Sequence, residues 1–172
     1  MRVLGIDCGS EYTGYGLVEE GPGHRLFSCA AGAIHLRPRD SMAVKLQHIY
    51  SQLSHLIAEH QPEVVAIEEV FYALNVKSAL KLGQVRGVAM LAASAAGLEV
   101  AEYSPLSIKS AVVGYGRAEK HQVQDMVMRL LSLPEPPEPA DAADALAIAI
   151  CHIHTASTLK RYKKAGTKEP IS

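Results

Sequence analysis

Two short apolar runs of the sequence each end in acidic residues. Residues 3–6 (VLGI) are followed by Asp7. Residues 64–67 (VVAI) are followed by Glu68 and Glu69. Continuous apolar runs of this length are typical of strands buried on both faces of a sheet. Because an acid beside such a strand is costly unless it is paired or binds a cation, these runs constrain both the fold and the site.

The first third of the chain has the pattern of three strands. Residues 2–7 predict a central strand, and further strands are predicted near residues 14–20 and over residues 25–35. Gly21-Pro22-Gly23 is a strong turn signal between the second and third runs. The sequence therefore predicts an antiparallel meander of three strands.

The remaining segments alternate between helical and strand patterns. Helical spacing begins at Ser41 and stops at Pro62. Further helices are predicted over residues 76–96, from Pro105, over 120–132 and over 141–156, with a strand over 98–103. This order predicts an α/β fold, a five-stranded mixed sheet flanked by helices. We expect one domain over residues 1–157 and a basic, disordered tail over residues 158–172.

Composition limits the class of protein. The 172 residues suit one domain, and 48% hydrophobic against 20% charged residues excludes a disordered or fibrous chain. The three cysteines are far apart, which favours a reducing cytoplasm over a disulfide framework. No uninterrupted apolar run approaches the ~20 residues that a membrane span needs. These features predict a soluble, cytoplasmic protein.

A third acidic segment joins the two strand ends. Asp141 and Asp144 are three residues apart, which places both carboxylates on one face of a helix. With Asp7 and Glu68 they form a set of four carboxylates on rigid elements. Hard cations such as Mg²⁺ prefer oxygen ligands of this kind. Two ions about 3.5–4 Å apart would supply what phosphodiester hydrolysis needs.

Each acid taken alone also has a simpler interpretation. Asp141 is equally well placed to complement a helix dipole. One of Glu68 and Glu69 is expected in solvent at the strand end. Asp7 is the hardest to explain in this way, because it lies between four strand residues and a glycine turn.

The sequence resembles the RuvC family of Holliday-junction resolvases, within the ribonuclease H-like superfamily. The segments that carry the resemblance extend over the chain up to about residue 155, in the order and spacing of that family. They are GIDCGSEYTGYG (5–16), AIEEVFYALNVKSALKLGQVRGVA (66–89), VVGYGRAEKHQVQ (112–124) and ADAADALAIAI (140–150).

The resemblance implies a role for several residues. Asp7, Glu68, Asp141 and Asp144 fall on the catalytic, metal-binding carboxylates of the family. Phe71 falls on an aromatic residue used against DNA bases, and Lys109 and Lys120 fall on basic residues near the scissile phosphate. The family usually has proline after its first aspartate, whereas this chain has Cys8. The other residues expected to contact DNA are Tyr72, Lys77, Lys81 and Arg86.

These accessory residues have structural alternatives. Phe71 and Tyr72 are equally suited to a core, and Lys109 and Lys120 to an ordinary solvated surface. A nucleophilic Cys8 is disfavoured, because neighbouring acids oppose a thiolate. Gly114 and Gly116 would let a loop approach a phosphate backbone, but glycines also simply end helices. His121 is either an aid to proton transfer or a surface helix residue, with the second favoured. His152 and His154 are not expected to be ligands.

The resemblance implies a Mg²⁺-dependent endonuclease of recombination and DNA repair, with Mn²⁺ as a substitute. It would leave 5′-phosphate and 3′-hydroxyl ends. The implied partners are a four-way DNA junction, a second copy of the chain joined near the helix over residues 76–96, and the RuvA–RuvB branch-migration complex.

Three other functions stay open: a nuclease of RNA–DNA hybrids, an ATPase using the Asp7–Gly14 DxGxxxxG motif, and a non-catalytic junction-binding scaffold.

The formal net charge of −1 does not oppose DNA binding. Setting aside the four predicted ligands leaves 14 acidic residues against 17 basic ones, a net charge of +3. Basic residues are frequent where the resemblance implies DNA contact, including Arg117 and the segment 160–168. Binding is therefore expected to weaken steeply with salt.

Overall fold

Five strands form one mixed sheet in the computed structural model, which describes residues 1–69 and 75–166. Their order across the sheet is β3-β2-β1-β4-β5. The β1–β2 and β2–β3 pairs are antiparallel, and the β1–β4 and β4–β5 pairs are parallel. This confirms the predicted mixed sheet and meander. The strands are β1 (Arg2–Asp7), β2 (Tyr12–Glu20), β3 (Leu26–His35), β4 (Val64–Glu68) and β5 (Glu99–Tyr103).

Helices cover both faces of the sheet. One face packs against α1 (Met42–His60) and α2 (Val76–Ala95). The opposite face packs against three helices, α3 (Pro105–Val113), α4 (Lys120–Leu130) and α5 (Ala140–Gly166). A short 3₁₀ turn, Pro22–His24, lies at the predicted turn between β2 and β3.

Side chains of the central strands alternate between two hydrophobic clusters. Val3 of β1 packs with α5, while Leu4 and Ile6 pack with α1 and α2. This alternation follows from the two-residue period of a strand. The apolar runs are continuous, rather than alternating, because both faces of the sheet are buried.

Helix α5 lies unusually close to β1 and β2. A Cβ atom at Gly5 would overlap the carbonyl oxygen of Ala145, and one at Gly14 would overlap the carbonyl oxygen of Asp141. Gly5 pairs with Gly16 and Gly14 pairs with Asp7 across the β1–β2 ladder. The glycines thus allow backbone to approach backbone, and they fix α5 against the strand that carries Asp7.

Helix α5 is longer than the sequence pattern predicts. It continues to Gly166, ten residues beyond the predicted end at residue 156. Residues 158–166 are therefore helical in the described structure, where the sequence pattern predicted a disordered tail from residue 158. The segment 160–166 contains lysine, arginine and alanine, which are good helix formers, so it extends the helix without a break.

By length and composition, Ala140–Tyr162 of α5 is apolar enough to cross a membrane. More than half of its most apolar window is buried inside the fold. The residues that make it apolar, such as Leu146, Ile148 and Ile150, lie in the core against the sheet. In this fold the segment is a core helix.

We expect Gly5→Ala to lower the free energy of unfolding by about 1–3 kcal/mol, because an added methyl group must push α5 away from β1. Chemical denaturation measures this change. The control is Ala31→Val on β3, where the side chain is exposed and the cost should stay within about 0.5 kcal/mol. Equal losses in the two variants would contradict the close approach of α5.

Candidate active site

Two carboxylates lie side by side at one edge of the sheet. The parallel β1–β4 ladder ends at the Ile6–Ile67 pair, so Asp7 and Glu68 are the next residues on adjacent strands. They lie on the same sheet face as Gly5, which is the face that α5 covers. The carboxyl ends of parallel strands are the usual edge for a site in such a sheet.

The first turn of α5 brings two more carboxylates to this edge. The Asp141 carbonyl lies directly over Gly14, the partner of Asp7 in the β1–β2 ladder. Asp144 is one turn further along α5 and is partly exposed. The structure thus brings together the four acidic residues that the sequence singled out.

The electrostatics of the four carboxylates show their proximity. Burial first, and then the charges of Asp144, Glu68 and Asp141 in that order, raise the pKa of Asp7 from 3.8 to about 7. The pKa of Glu68 is also raised, by burial first and then by Asp144. Negative charge at this edge is therefore not fully compensated by the protein.

Two lysines provide part of the compensation. Lys120, the first residue of α4, donates from Nζ to Oδ2 of Asp144 at 2.6 Å. This hydrogen bond raises the pKa of Lys120, while Lys109 and Lys120 together oppose the upward shift in the pKa of Glu68. Both amines line a cleft of about 220 Å³ that also contains Glu68 and Asp144.

The four carboxylates are ligands of the kind that a hard divalent cation prefers, but their oxygens do not surround a single point. Over residues 1–69 and 75–166, no three His, Cys, Asp or Glu side chains stand close enough to share an ion. The donors are nevertheless all carboxylate oxygens on rigid strands and a helix, with excess negative charge between them. That chemistry fits Mg²⁺ or a similar ion. The Lys120 amine occupies part of the space around Asp144.

The other predicted DNA-contacting residues lie in different surroundings. Phe71 and Tyr72 fall outside the described residues. Lys77 and Lys81 are exposed on α2. Arg86 points inward from the same helix, and its DNA contact stays a prediction.

Arg86 ties α2 to the ends of two strands. Its guanidinium forms an ion pair with Glu102 of β5 and donates from Nε to the Glu68 carbonyl at 3.3 Å. The sequence reasoning missed this pair. The signal available was Glu102, one of two acidic residues in the strand segment LEVAEY.

The remaining candidates have structural partners. His152 is buried with its Nδ1 at 2.9 Å from the Tyr103 hydroxyl, and the His154 Nδ1 contacts the Ala111 carbonyl at 2.9 Å. Burial and then Asp7 raise the pKa of the Cys8 thiol to about 12. A thiolate nucleophile at Cys8 is therefore disfavoured, as expected.

Comparison with known proteins identifies the family. The chain matches the model of the family described as crossover junction endodeoxyribonuclease RuvC over residues 3–152. The chain belongs to the RuvC family. A crossover junction endodeoxyribonuclease RuvC from Koribacter versatilis is 66% identical over 161 residues, covering 94% of this chain and 97% of the relative. Membership implies a nuclease that depends on divalent metal.

Solved RuvC structures share the fold. Thermus thermophilus RuvC superimposes with a TM-score of 0.84 at 33% identity, covering 92% of this chain and 96% of the other. Thermus thermophilus RuvC in complex with Holliday junction substrate gives a TM-score of 0.85 at 30% identity, with the same coverage. These similarities confirm the expected ribonuclease H-like fold and the resemblance to RuvC.

We expect Asp7→Asn to stabilise the metal-free protein by about 1–3 kcal/mol above pH 7. The pKa of Asp7 is near 7 in the fold and 3.8 in the unfolded chain, so the wild type loses stability as pH rises from about 4 to 7. The variant lacks this loss, and the difference should vanish below about pH 4. Denaturation in EDTA across this pH range measures the difference.

The matched control is Asp125→Asn, an exposed carboxylate on α4. It should change stability by less than about 0.5 kcal/mol at every pH. A difference between Asp7→Asn and wild type that is independent of pH would contradict the raised pKa of Asp7.

Proposed function

We propose that this chain resolves four-way DNA junctions by Mg²⁺-dependent phosphodiester hydrolysis, cutting one strand per subunit and leaving 5′-phosphate and 3′-hydroxyl ends. The observation that carries the proposal is the convergence of Asp7, Glu68, Asp141 and Asp144 at one sheet edge in a RuvC-family chain. A Thermus thermophilus relative has been solved in complex with Holliday junction substrate.

The four carboxylates would hold the metal, with Asp7 central because it is influenced by each of the other three. A bound divalent cation supplies a water of lowered pKa and stabilises the charge on the leaving oxygen. We favour two ions, since four carboxylates exceed what a single Mg²⁺ takes from a protein. Mn²⁺ has the same preference for oxygen ligands and would substitute.

The rigid backbone orients these carboxylates before substrate arrives. Asp7 is held by its pairing with Gly14, Glu68 by its pairing with Tyr103, and Asp141 by the contact of α5 with Gly14. Such positioning lowers the barrier because little reorganisation is needed during the reaction.

The lysines are placed to bind the phosphate. Lys109 and Lys120 line the cleft beside Glu68 and Asp144. Lys120 remains protonated through its hydrogen bond to Asp144, so it offers a full positive charge beside the carboxylates. An amine in this position attracts the scissile phosphate, which the carboxylates alone would repel.

We expect Asp7→Asn and Asp144→Asn to reduce junction cleavage by at least about 100-fold, since each removes a charge that holds the metal. Junction affinity in Ca²⁺ should stay within about threefold of wild type. Single-turnover cleavage of a synthetic mobile junction measures the rate, and symmetric paired nicks identify resolution. Asp125→Asn is the charge-matched control and should cut normally.

Normal cutting by Asp7→Asn in Mg²⁺ would contradict the assignment. Faster cutting of an RNA–DNA hybrid than of the junction by the wild type would instead favour the hybrid nuclease. Activity in Mg²⁺ but not in EDTA separates an enzyme from a non-catalytic scaffold.

We also propose that the chain works as a homodimer joined through α2. One face of α2 is apolar and exposed, and it contains Val76, Leu80 and Leu91 at 75%, 64% and 58% exposure. Gly83 and Gly87 lie on the same helix, and a Cβ added at either would meet nothing within 4 Å. Small residues between large apolar ones let a second helix approach closely. A two-fold dimer would present two identical sites to the two strands of a junction.

We expect the double substitution Leu80→Asp and Leu91→Asp to give a monomer at micromolar concentration, because two charges would be buried in the α2 interface. Light scattering coupled to size-exclusion chromatography measures the mass. Paired nicking should become uncoupled single nicking. The control, Leu159→Asp and Tyr162→Asp, alters exposed residues at the far end of α5 and should leave the dimer intact. A wild type that is itself monomeric would refute the proposal.

The family implies two further features of this chain. We propose that it acts with the RuvA–RuvB branch-migration complex, which moves the junction point. We propose a cytoplasmic location, where such a junction would form in a bacterium.

We also propose that residues 1–157 form the nuclease domain and that residues 158–172 form a basic extension. The described part of this extension continues α5.

A further inference from the structure

A second basic surface lies where β3 ends and α1 begins. A cleft of about 470 Å³ opens there, and its lining includes Arg37, Lys45 and two histidines, His35 and His48. Arg39 is exposed beside it. We call these five residues the β3–α1 corner. None of them was singled out by the sequence patterns or by the resemblance to RuvC.

The cations of this corner are not neutralised by the protein. Among residues 1–69 and 75–166, no carboxylate forms an ion pair with Arg37, Arg39 or Lys45. Asp40 is the acidic residue in the cleft lining. With both histidines neutral, the corner and Asp40 together have a formal charge of +2. Unpaired cations around a concave surface are suited to an anion with several charges.

The corner lies at the same end of the sheet as Asp7. Asp7 pairs with Gly14 on β2, and Tyr12, two residues earlier on β2, pairs with His35 on β3. The Leu36 amide also bonds the Glu11 carbonyl at 2.9 Å, which joins the end of β3 to the loop after β1. Strands β1 and β3 are two inter-strand spacings apart, or about 10 Å.

That separation is short compared with the length of a bound nucleic acid strand. One DNA strand carries a phosphate for every 3.4 Å of helix axis, so several phosphates lie on each side of any cut. A strand whose scissile phosphate lies at Asp7 therefore has other phosphates within reach of the corner. The Tyr12 ring, 43% exposed, stacks on His35 at a centroid distance of 4.8 Å, giving the corner a flat aromatic wall.

We propose that the β3–α1 corner binds the DNA phosphodiester backbone within a few nucleotides of the cut, as a second anchor beside the Lys109–Lys120 cleft. This inference rests on the proposed junction cleavage. Its placement at the catalytic edge favours DNA over an acidic protein partner, because DNA bound at Asp7 would already be present there. The corner positions substrate and takes no part in the chemistry.

The test is the triple variant Arg37→Ala, Arg39→Ala and Lys45→Ala. Junction affinity is measured in Ca²⁺ or EDTA, between 50 and 300 mM NaCl. We expect binding to weaken about tenfold or more at 150 mM, and the slope of log K against log salt to become shallower by about two to three, since each phosphate contact contributes about 0.9. The single-turnover cleavage rate at saturating enzyme should stay within about twofold.

The matched control removes two cations from the opposite end of the sheet, Arg25→Ala and Arg129→Ala, and is compared with the double variant Arg37→Ala and Lys45→Ala. Arg25 borders a cleft around His24 and Leu26, next to the β2–β3 turn, and Arg129 is exposed near the end of α4. The charge change is the same, but we expect the salt slope of the control to stay within about one of the wild-type value. An equal effect in both double variants would reveal general charge attraction and overturn the proposal.

A second measurement locates the contact on the DNA. Methylphosphonates placed two to four nucleotides from the cut, on either side, remove charge from those phosphates. On one side of the cut, these substitutions should weaken junction binding by the wild type. The same substitutions should not change the affinity of the corner variant, which already lacks the contact. If the corner variant binds the junction with the affinity and the salt slope of the wild type, the proposal is overturned. A loss of binding to an acidic protein in that variant would not rescue it. Failure of the wild type to cut a junction in Mg²⁺ would refute the proposed function separately, since these affinities are measured without cleavage.

Discussion

The close packing of α5 on the glycines of β1 and β2 determines the site. Backbone meets backbone at Gly5 and Gly14, so the distance between helix and sheet is set by main-chain atoms. The nearest atoms at both glycines are main-chain carbonyl oxygens, which have no alternative rotamers. As a result, Asp141 and Asp144 are held over the strand that ends in Asp7. The rest of α5 secures this placement by filling one of the two hydrophobic clusters.

This arrangement brings like charges together at the boundary between core and solvent. The raised pKa values of Asp7 and Glu68 record the electrostatic cost, and burial is the largest cause in both. Lys120 offsets part of the cost through its bond to Asp144. The four carboxylates therefore lower the stability of the fold while producing a negative charge that attracts cations. Burial of apolar side chains on both faces of the sheet offsets this loss of stability.

Most elements could be predicted because their patterns are local. The apolar runs before Asp7 and Glu68, and the helical spacing after Ser41, each depend on a few neighbouring residues. The four acids were assigned to one site from the two strand ends and the spacing of Asp141 and Asp144, and in the fold the other three raise the pKa of Asp7. Their role in binding metal stays a prediction. The length of α5 was underestimated, since a change from apolar to basic residues does not itself end a helix.

Contacts between distant segments were less visible in the sequence. The resemblance implied DNA contact for Arg86, which stays a prediction, but it gave no sign of the partners that Arg86 has on two strands, the Glu68 carbonyl and the Glu102 carboxylate. The β3–α1 corner was missed for a similar reason. Its cations are spread over a strand end, a turn and a helix, so they form no run in the sequence.

The Arg86 contact has a geometric consequence for anything that binds the outer face of α2. The guanidinium joins this helix to the β4 and β5 strand ends, and its Nε bonds the main chain of Glu68 itself. These contacts tie α2 to the main chain that carries the Glu68 carboxylate. In the proposed dimer, a second copy docked on α2 would therefore lie at a distance from Glu68 that the fold of each subunit sets, and the spacing of the two sites would follow from that framework before any DNA is bound.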